Sequence, residues 1–185
     1  MYWLWDLRQR CTERNVPCIT PATEDFLRTY IAKHKPSHIL EIGSAVGYSG
    51  IVLAQAIQWR NGLVQSIEYS FPDYQLACNH AKFYNQHNIT FYHGDAIRID
   101  YKRLCWQKMD LVYIDGRKRD YVTYFQRVID IVGTDTTVIF DDVIKFSHKT
   151  SSLYEFLDEK QIHYSVHQLD EDDGIMVIEK AGSRI

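Results

Sequence analysis

No apolar run in these 185 residues approaches the length needed to span a bilayer, which argues against a membrane-crossing helix. The first residues, Met1-Tyr2-Trp3-Leu4-Trp5-Asp6, lack the charged-then-apolar pattern of a secretory signal, so a cytoplasmic protein is expected. An excess of positive charge is also missing. Twenty-one Lys and Arg against 24 Asp and Glu leave a net charge of −3, which argues against a protein-wide basic surface for nucleic acid. Cysteine is sparse. Cys11, Cys18, Cys78 and Cys105 form no CxxC pair and have no His at zinc-ligand spacing, so they read as reduced, mostly structural thiols. Internal repeats, low-complexity tracts and linkers are absent, and one domain over residues 1–185 is expected.

What is present is concentrated in the run from His38 to Ser49. Its first half, His38-Ile39-Leu40-Glu41-Ile42, reads as a buried strand. Its second half, Gly43-Ser44-Ala45-Val46-Gly47, gives up large side chains before an apolar stretch with helical spacing from Ile51 to Ile57. A strand that ends in a Gly-containing turn and opens a helix is how α/β proteins bind nucleotides, because glycine permits close backbone approach and the helix N-terminus offers free N–H groups. An ordinary strand–turn–helix corner would share these features. Glu41 stands out within the strand, since a carboxylate there is costly without a task or a partner.

Around this run, strands and helices alternate. Helices are expected from Tyr2 to about Glu13, from Thr23 to Lys33 with Thr23 as N-cap, from about Ser49 to Ile57, from Pro72 to Asn85, from Tyr121 to Val132, and from about Ser151 to Glu159. Strands are expected at Ile39–Ile42, Leu63–Glu68, Ile89–His93, Asp110–Asp115 and Thr136–Phe140. Ile162–Gln168 and Gly174–Glu179 form a final hairpin around the acidic turn Asp170–Asp173. The alternation implies a mostly parallel α/β sheet, with the hairpin adding an antiparallel strand.

Acids track the strand ends: Glu41, Glu68, Asp95, Asp115 and the pair Asp141-Asp142. Ligands of open parallel sheets collect at this edge, so the set favours a functional site, although any single Asp can be a helix cap and Asp95 fits that role best. Glu68, at the end of the second strand, stands where an acid accepts hydrogen bonds from a ribose diol. Asp115, Asp141 and Asp142 supply hard oxygen ligands suited to Mg²⁺. Lys118, three residues after Asp115, is a candidate general base if its neighbours lower its pKa; it reads equally well as a solvated charge within Arg117-Lys118-Arg119.

Together, Ile39-Leu40-Glu41-Ile42-Gly43-Ser44-Ala45-Val46-Gly47-Tyr48-Ser49, Ile67-Glu68, Gly94-Asp95-Ala96 and Asp110-Leu111-Val112-Tyr113-Ile114-Asp115-Gly116-Arg117-Lys118 resemble the cation-dependent O-methyltransferases. That family includes catechol and caffeoyl-CoA O-methyltransferases and bacterial relatives that methylate 5-hydroxyuridine in tRNA. Val16-Pro17-Cys18-Ile19-Thr20 resembles the family's segment over the cofactor. The resemblance implies a Rossmann-like class I methyltransferase fold, with a mostly parallel seven-stranded sheet, helices on both faces and a C-terminal antiparallel hairpin. It implies S-adenosylmethionine as cofactor, with Glu41, Gly43, Ser49 and Ile19 near its methionine end, Glu68 on the ribose, and Asp95 and Ala96 beside the adenine. Asp115, which also borders the cofactor, would hold Mg²⁺ or another divalent cation such as Mn²⁺ or Ca²⁺ together with Asp141 and Asp142, with Lys118 as base. The implied acceptor is a catechol-like small molecule, ahead of a tRNA nucleoside, and the implied assembly is a homodimer.

Two departures from the family pattern bear on the acceptor. Asp142 stands where Asn is usual, and the stretch after it is short, leaving a smaller wall over the acceptor. Two rival readings are a dinucleotide oxidoreductase and a non-catalytic member of the same fold. The first lacks the G-x-G-x-x-G spacing and leaves the Asp set unexplained. The second conflicts with the joint presence of Glu68 and the Asp115–Lys118 unit.

Overall fold

The computed structural model describes residues 4–13, 16–104 and 108–181. Cys105 and the Tyr2 start of the first expected helix lie outside them. Among the described residues, seven strands form one sheet in the order β3-β2-β1-β4-β5-β7-β6. They are β1 (His38–Ile42), β2 (Leu63–Glu68), β3 (Ile89–His93), β4 (Met109–Ile114), β5 (Val132–Phe140), β6 (Ser165–Gln168) and β7 (Gly174–Ile178). The first five are parallel, and β7 runs antiparallel to both β5 and β6. This is the expected fold class, and the structural relatives described below share it.

The strand period of two divides the core between the two sheet faces. Ile39 of β1 and Leu111 and Tyr113 of β4 point to one face. There they pack under helices α1 (Leu4–Glu13), α2 (Pro21–His34), α3 (Tyr48–Ile57) and α4 (Phe71–Phe83). Leu40, Ile42, Val112 and Ile114 point to the other, under α5 (Tyr101–Leu104), α6 (Tyr121–Val128) and α7 (Ser147–Glu159). Burial on both faces explains why the central strands read as continuous apolar runs. Glu24 of α2 accepts from Arg8, from Arg28 (2.7 Å) and from the Tyr48 hydroxyl (2.5 Å), tying the first three helices together.

Several boundaries differ from expectation. The N-cap of α2 is Thr20, not Thr23: its hydroxyl accepts from the Thr23 N–H at 3.1 Å, and Pro21 opens the helix. Proline is pre-shaped for a first helical position, where its missing N–H costs nothing. Helix α6 stops at Val128, and β5 begins at Val132, four residues before the expected Thr136, because Val132 is drawn into register with Met109. Helix α7 starts at Ser147 and not Ser151, β6 starts at Ser165 and not Ile162, and the short α5 was not expected. Among the described residues, no helix is long and apolar enough to cross a membrane.

The chain enters the sheet at β1, builds outward to β3, then returns to β4 on the other side of β1. That reversal opens a crevice above the carboxyl ends of β1 and β4, where ligands of such sheets bind.

Candidate functional site

At this crevice β1 turns sharply. Gly43 has φ 94°, and a Cβ there would lie 2.6 Å from the Asp115 carbonyl oxygen, so only glycine fits between the two strand ends. Ala45 (φ 44°) and Gly47 (φ 89°) continue the turn into α3. Glu68 fastens the turn from the side. Its Oε2 accepts from the Ala45 N–H at 2.8 Å and its Oε1 from the Ser70 N–H at 2.7 Å. The Ser44 hydroxyl is buried without a hydrogen-bond partner, a donor and acceptor available to a ligand.

A cavity of about 530 Å³ fills the crevice, within the usual range for small-molecule sites. Ile19, Gly43, Ser49, Glu68, Asp95, Ala96, Asp115, Lys118, Asp141 and Asp142 all line it. Asp95 does act as a local cap, its Oδ1 accepting from the Ile97 N–H at 2.9 Å, yet it remains part of the wall.

Glu41 is the exception among the sequence candidates. It does not line the cavity; its side chain is wholly buried beneath α3, where Ser66 donates to one carboxylate oxygen and the other has no partner. The period of two explains this, because residue 41 shares the face of residue 39 and points at Gly50, not along the strand. Burial pushes its carboxyl up to about 7, against the pull of the Ser49 and Ser66 hydroxyls.

The other end of the cavity is built from carboxylates. Lys118 Nζ lies 2.5 Å from Asp115 Oδ1 and 3.0 Å from Asp142 Oδ2, bridging the two strand ends. The Tyr113 hydroxyl donates to Asp141 Oδ2 at 2.5 Å, the Asp142 N–H donates to Asp141 Oδ1 at 2.9 Å, and the Tyr121 hydroxyl donates to the Asp141 carbonyl at 2.8 Å. Asp142 itself has φ 57°, a left-handed conformation that Asp and Asn tolerate better than most residues. Burial, reinforced by Asp115, pushes the Asp141 carboxyl well above the usual carboxylate range.

Lys118 behaves opposite to the condition placed on it as a base. Burial alone would lower its pKa, but Asp115, Tyr121 and Asp142 outweigh burial and hold it above the ordinary lysine value. Its resting state is therefore the ammonium ion.

Sequence reasoning missed Tyr113 and Asp173. Tyr113 reads as one more residue of a buried-type strand, and Asp173 as part of the acidic turn Asp170–Asp173. In the structure Asp173 is buried, and one oxygen each from Asp141, Asp142 and Asp173 lie within 4.8 Å of one another.

The sequence model of a family described as O-methyltransferase matches residues 3–178. Catechol O-methyltransferase of Niastella koreensis is 29% identical over 141 residues, 72% of this chain and 62% of that protein. Tapetum-specific methyltransferase 1 of Arabidopsis thaliana is 26% identical over 124 residues, 65% of this chain and 53% of that protein. The chain thus spans between about half and three-fifths of the length of these curated relatives. The crystal structure of O-methyltransferase TomG from Streptomyces achromogenes, in complex with SAM, matches with a TM-score of 0.81. It is 20% identical, and the match covers 96% of this chain and 89% of that one, a likeness of fold.

Proposed function

Because this chain belongs to the O-methyltransferase family, we propose that it moves a methyl group from S-adenosylmethionine to a hydroxyl of a catechol-like small molecule held at a divalent cation. One observation carries the reading: a single cavity joins the glycine turn and Glu68 to the carboxylates and Lys118. A glycine turn with its acid and a group of carboxylates with a lysine, meeting in one space, are what cofactor and acceptor need for in-line transfer.

The residues present suit both groups. The partnerless Ser44 hydroxyl and the Gly43 cradle suit the polar methionine end of the cofactor, and Glu68 faces the same space. Asp115, Asp141 and Asp142 would hold the cation. Lys118 is paired with Asp115 and Asp142, while burial, reinforced by the charge of Asp115, pushes Asp141 toward protonation, an excess of carboxylate that suits a cation. When bound, the cation supplies Lewis acidity that favours ionisation of an acceptor hydroxyl. Glu68 would accept from ribose hydroxyls, its rotamer fixed by its bonds to the Ala45 and Ser70 N–H groups. Asp95 and Ala96 would border the adenine, and Ile19 and Ser49 would lie near the methionine end, all four lining the same cavity. Tyr113 and Tyr121 orient Asp141. Asp115, Tyr121 and Asp142 keep Lys118 protonated at rest. With the carboxylate charges compensated it would first release that proton to solvent and then, as the neutral amine, take the proton of the acceptor hydroxyl.

A small acceptor is favoured over tRNA by the charges at the rim. Arg117 is paired with Asp120 at 2.8 Å, and Lys145 shares its shallow pocket with Asp170, Glu171 and Asp172. The short loop after Asp142 contributes Phe146 to the cavity wall, a surface for an aromatic acceptor ring.

The test is methyl transfer from S-adenosylmethionine to a catechol, followed by mass spectrometry with Mg²⁺ and with excess chelator. Product is expected with Mg²⁺ and not in chelator, while calorimetric binding of S-adenosylmethionine persists in both. Turnover in chelator would remove the cation from the account.

A further inference from the structure

We infer that Asp173, in the turn between β6 and β7, is a further direct ligand of the divalent cation, beside Asp115, Asp141 and Asp142. The inference rests on the cation reading above and adds to it a residue from outside the strand-end motifs.

The fold puts Asp173 there. Strand β7 pairs antiparallel with β5, Phe140 opposite Met176, so the start of β7 returns to the end of β5. The Val143 N–H donates to the Gly174 carbonyl at 3.0 Å, locking the hairpin turn against the Asp141-Asp142 corner. A Cβ on Gly174 would lie 2.2 Å from Ile144 Cδ1, so glycine at 174 lets the Ile144 side chain pack directly on the turn.

The side chain is prepared for a ligand. Asp173 is 5% exposed. Its Oδ2 accepts from the Thr20 and Thr23 hydroxyls, both at 2.8 Å, which fixes its rotamer from the first turn of α2. Its Oδ1 is buried with no hydrogen-bond partner. A buried carboxylate oxygen left unpaired costs free energy that a bound cation would recover. Lys118 does not fill that role, being placed on Asp115 and Asp142. One oxygen each of Asp141, Asp142 and Asp173 lie within 4.8 Å of one another, and hard anionic oxygens so grouped suit a cation of the Mg²⁺, Mn²⁺ or Ca²⁺ class. The arrangement also joins the cation to Thr20, next to Ile19 of the cofactor wall, so metal and cofactor halves share a support.

The experiment is calorimetric titration of Mn²⁺ alone into the purified chain and into Asp173→Asn, Asp141→Asn and Glu171→Gln variants. Glu171 is an exposed acid of the same turn and controls for loss of charge. Asp173→Asn is expected to weaken Mn²⁺ binding about tenfold or more, and Glu171→Gln less than about threefold. Retention of wild-type affinity by Asp173→Asn, with affinity lost in Asp141→Asn, overturns the role of Asp173 and leaves the cation reading standing. Absence of Mn²⁺ binding to the wild-type chain overturns the cation reading, and this inference with it. Should Asp173→Asn fail to fold, anomalous diffraction from Mn²⁺-soaked wild-type crystals decides: a peak within about 2.6 Å of Asp173 Oδ1 supports ligation, and a peak bound elsewhere refutes it.

Discussion

Glu41 is sealed under α3 with one carboxylate oxygen unpaired, and its pKa of about 7 lies above the ordinary value of 4.5. Between those two values the unfolded chain has released the proton that the folded chain keeps, so stability falls as pH rises through this window and levels off above it. The full cost is roughly 3 kcal/mol. Glu41→Gln should therefore gain stability relative to wild type on going from pH 5 to pH 8, measured by urea unfolding, and a pH-independent difference would contradict the assignment. Lys118 makes a kinetic prediction. Its replacement by Ala should lower kcat with a catechol about 100-fold or more while cofactor affinity stays within about threefold, since a base acts in the transition state. A defect confined to KM would place Lys118 in binding alone.

At the scale of elements, the unit β1–turn–α3 sets the site, and its packing is tight. A Cβ on Gly50 would lie 2.6 Å from Glu41 Oε2 and 2.8 Å from Ile89 Cδ1, so Gly50→Ala should push α3 off the sheet. A loss of about 1–3 kcal/mol is expected, read from the denaturant midpoint, with weakened cofactor binding because Ser49 and Tyr48 move with the helix. This unit was legible in sequence, because an apolar strand, a glycine turn and a helical apolar stretch each carry a local signal. So were β2 and β3, whose ends coincide with expectation. Where the signal is tertiary, reading failed. Ile129, Ile131 and Val132 continue the apolar spacing of α6, and only pairing with β4 assigns Val132 to a strand. Pro21 signals both extended chain and a helix start, and the Thr20 cap resolves it.

For the molecule as a whole, strand order decides which acids meet. Proximity to a strand end placed Glu68, Asp95, Asp115, Asp141 and Asp142 on one cavity, and side-chain alternation took Glu41 away from it. Asp173 could be found only through the antiparallel return of β7 beside β5, which joins residues more than thirty apart in sequence. The central proposal is that this one cavity holds S-adenosylmethionine with Glu68 on the ribose. Calorimetric titration of S-adenosylmethionine into wild type and Glu68→Ala tests it directly. The prediction is saturable binding to wild type, weakened about tenfold or more in the variant. No binding to wild type, or equal affinity in both, would contradict it.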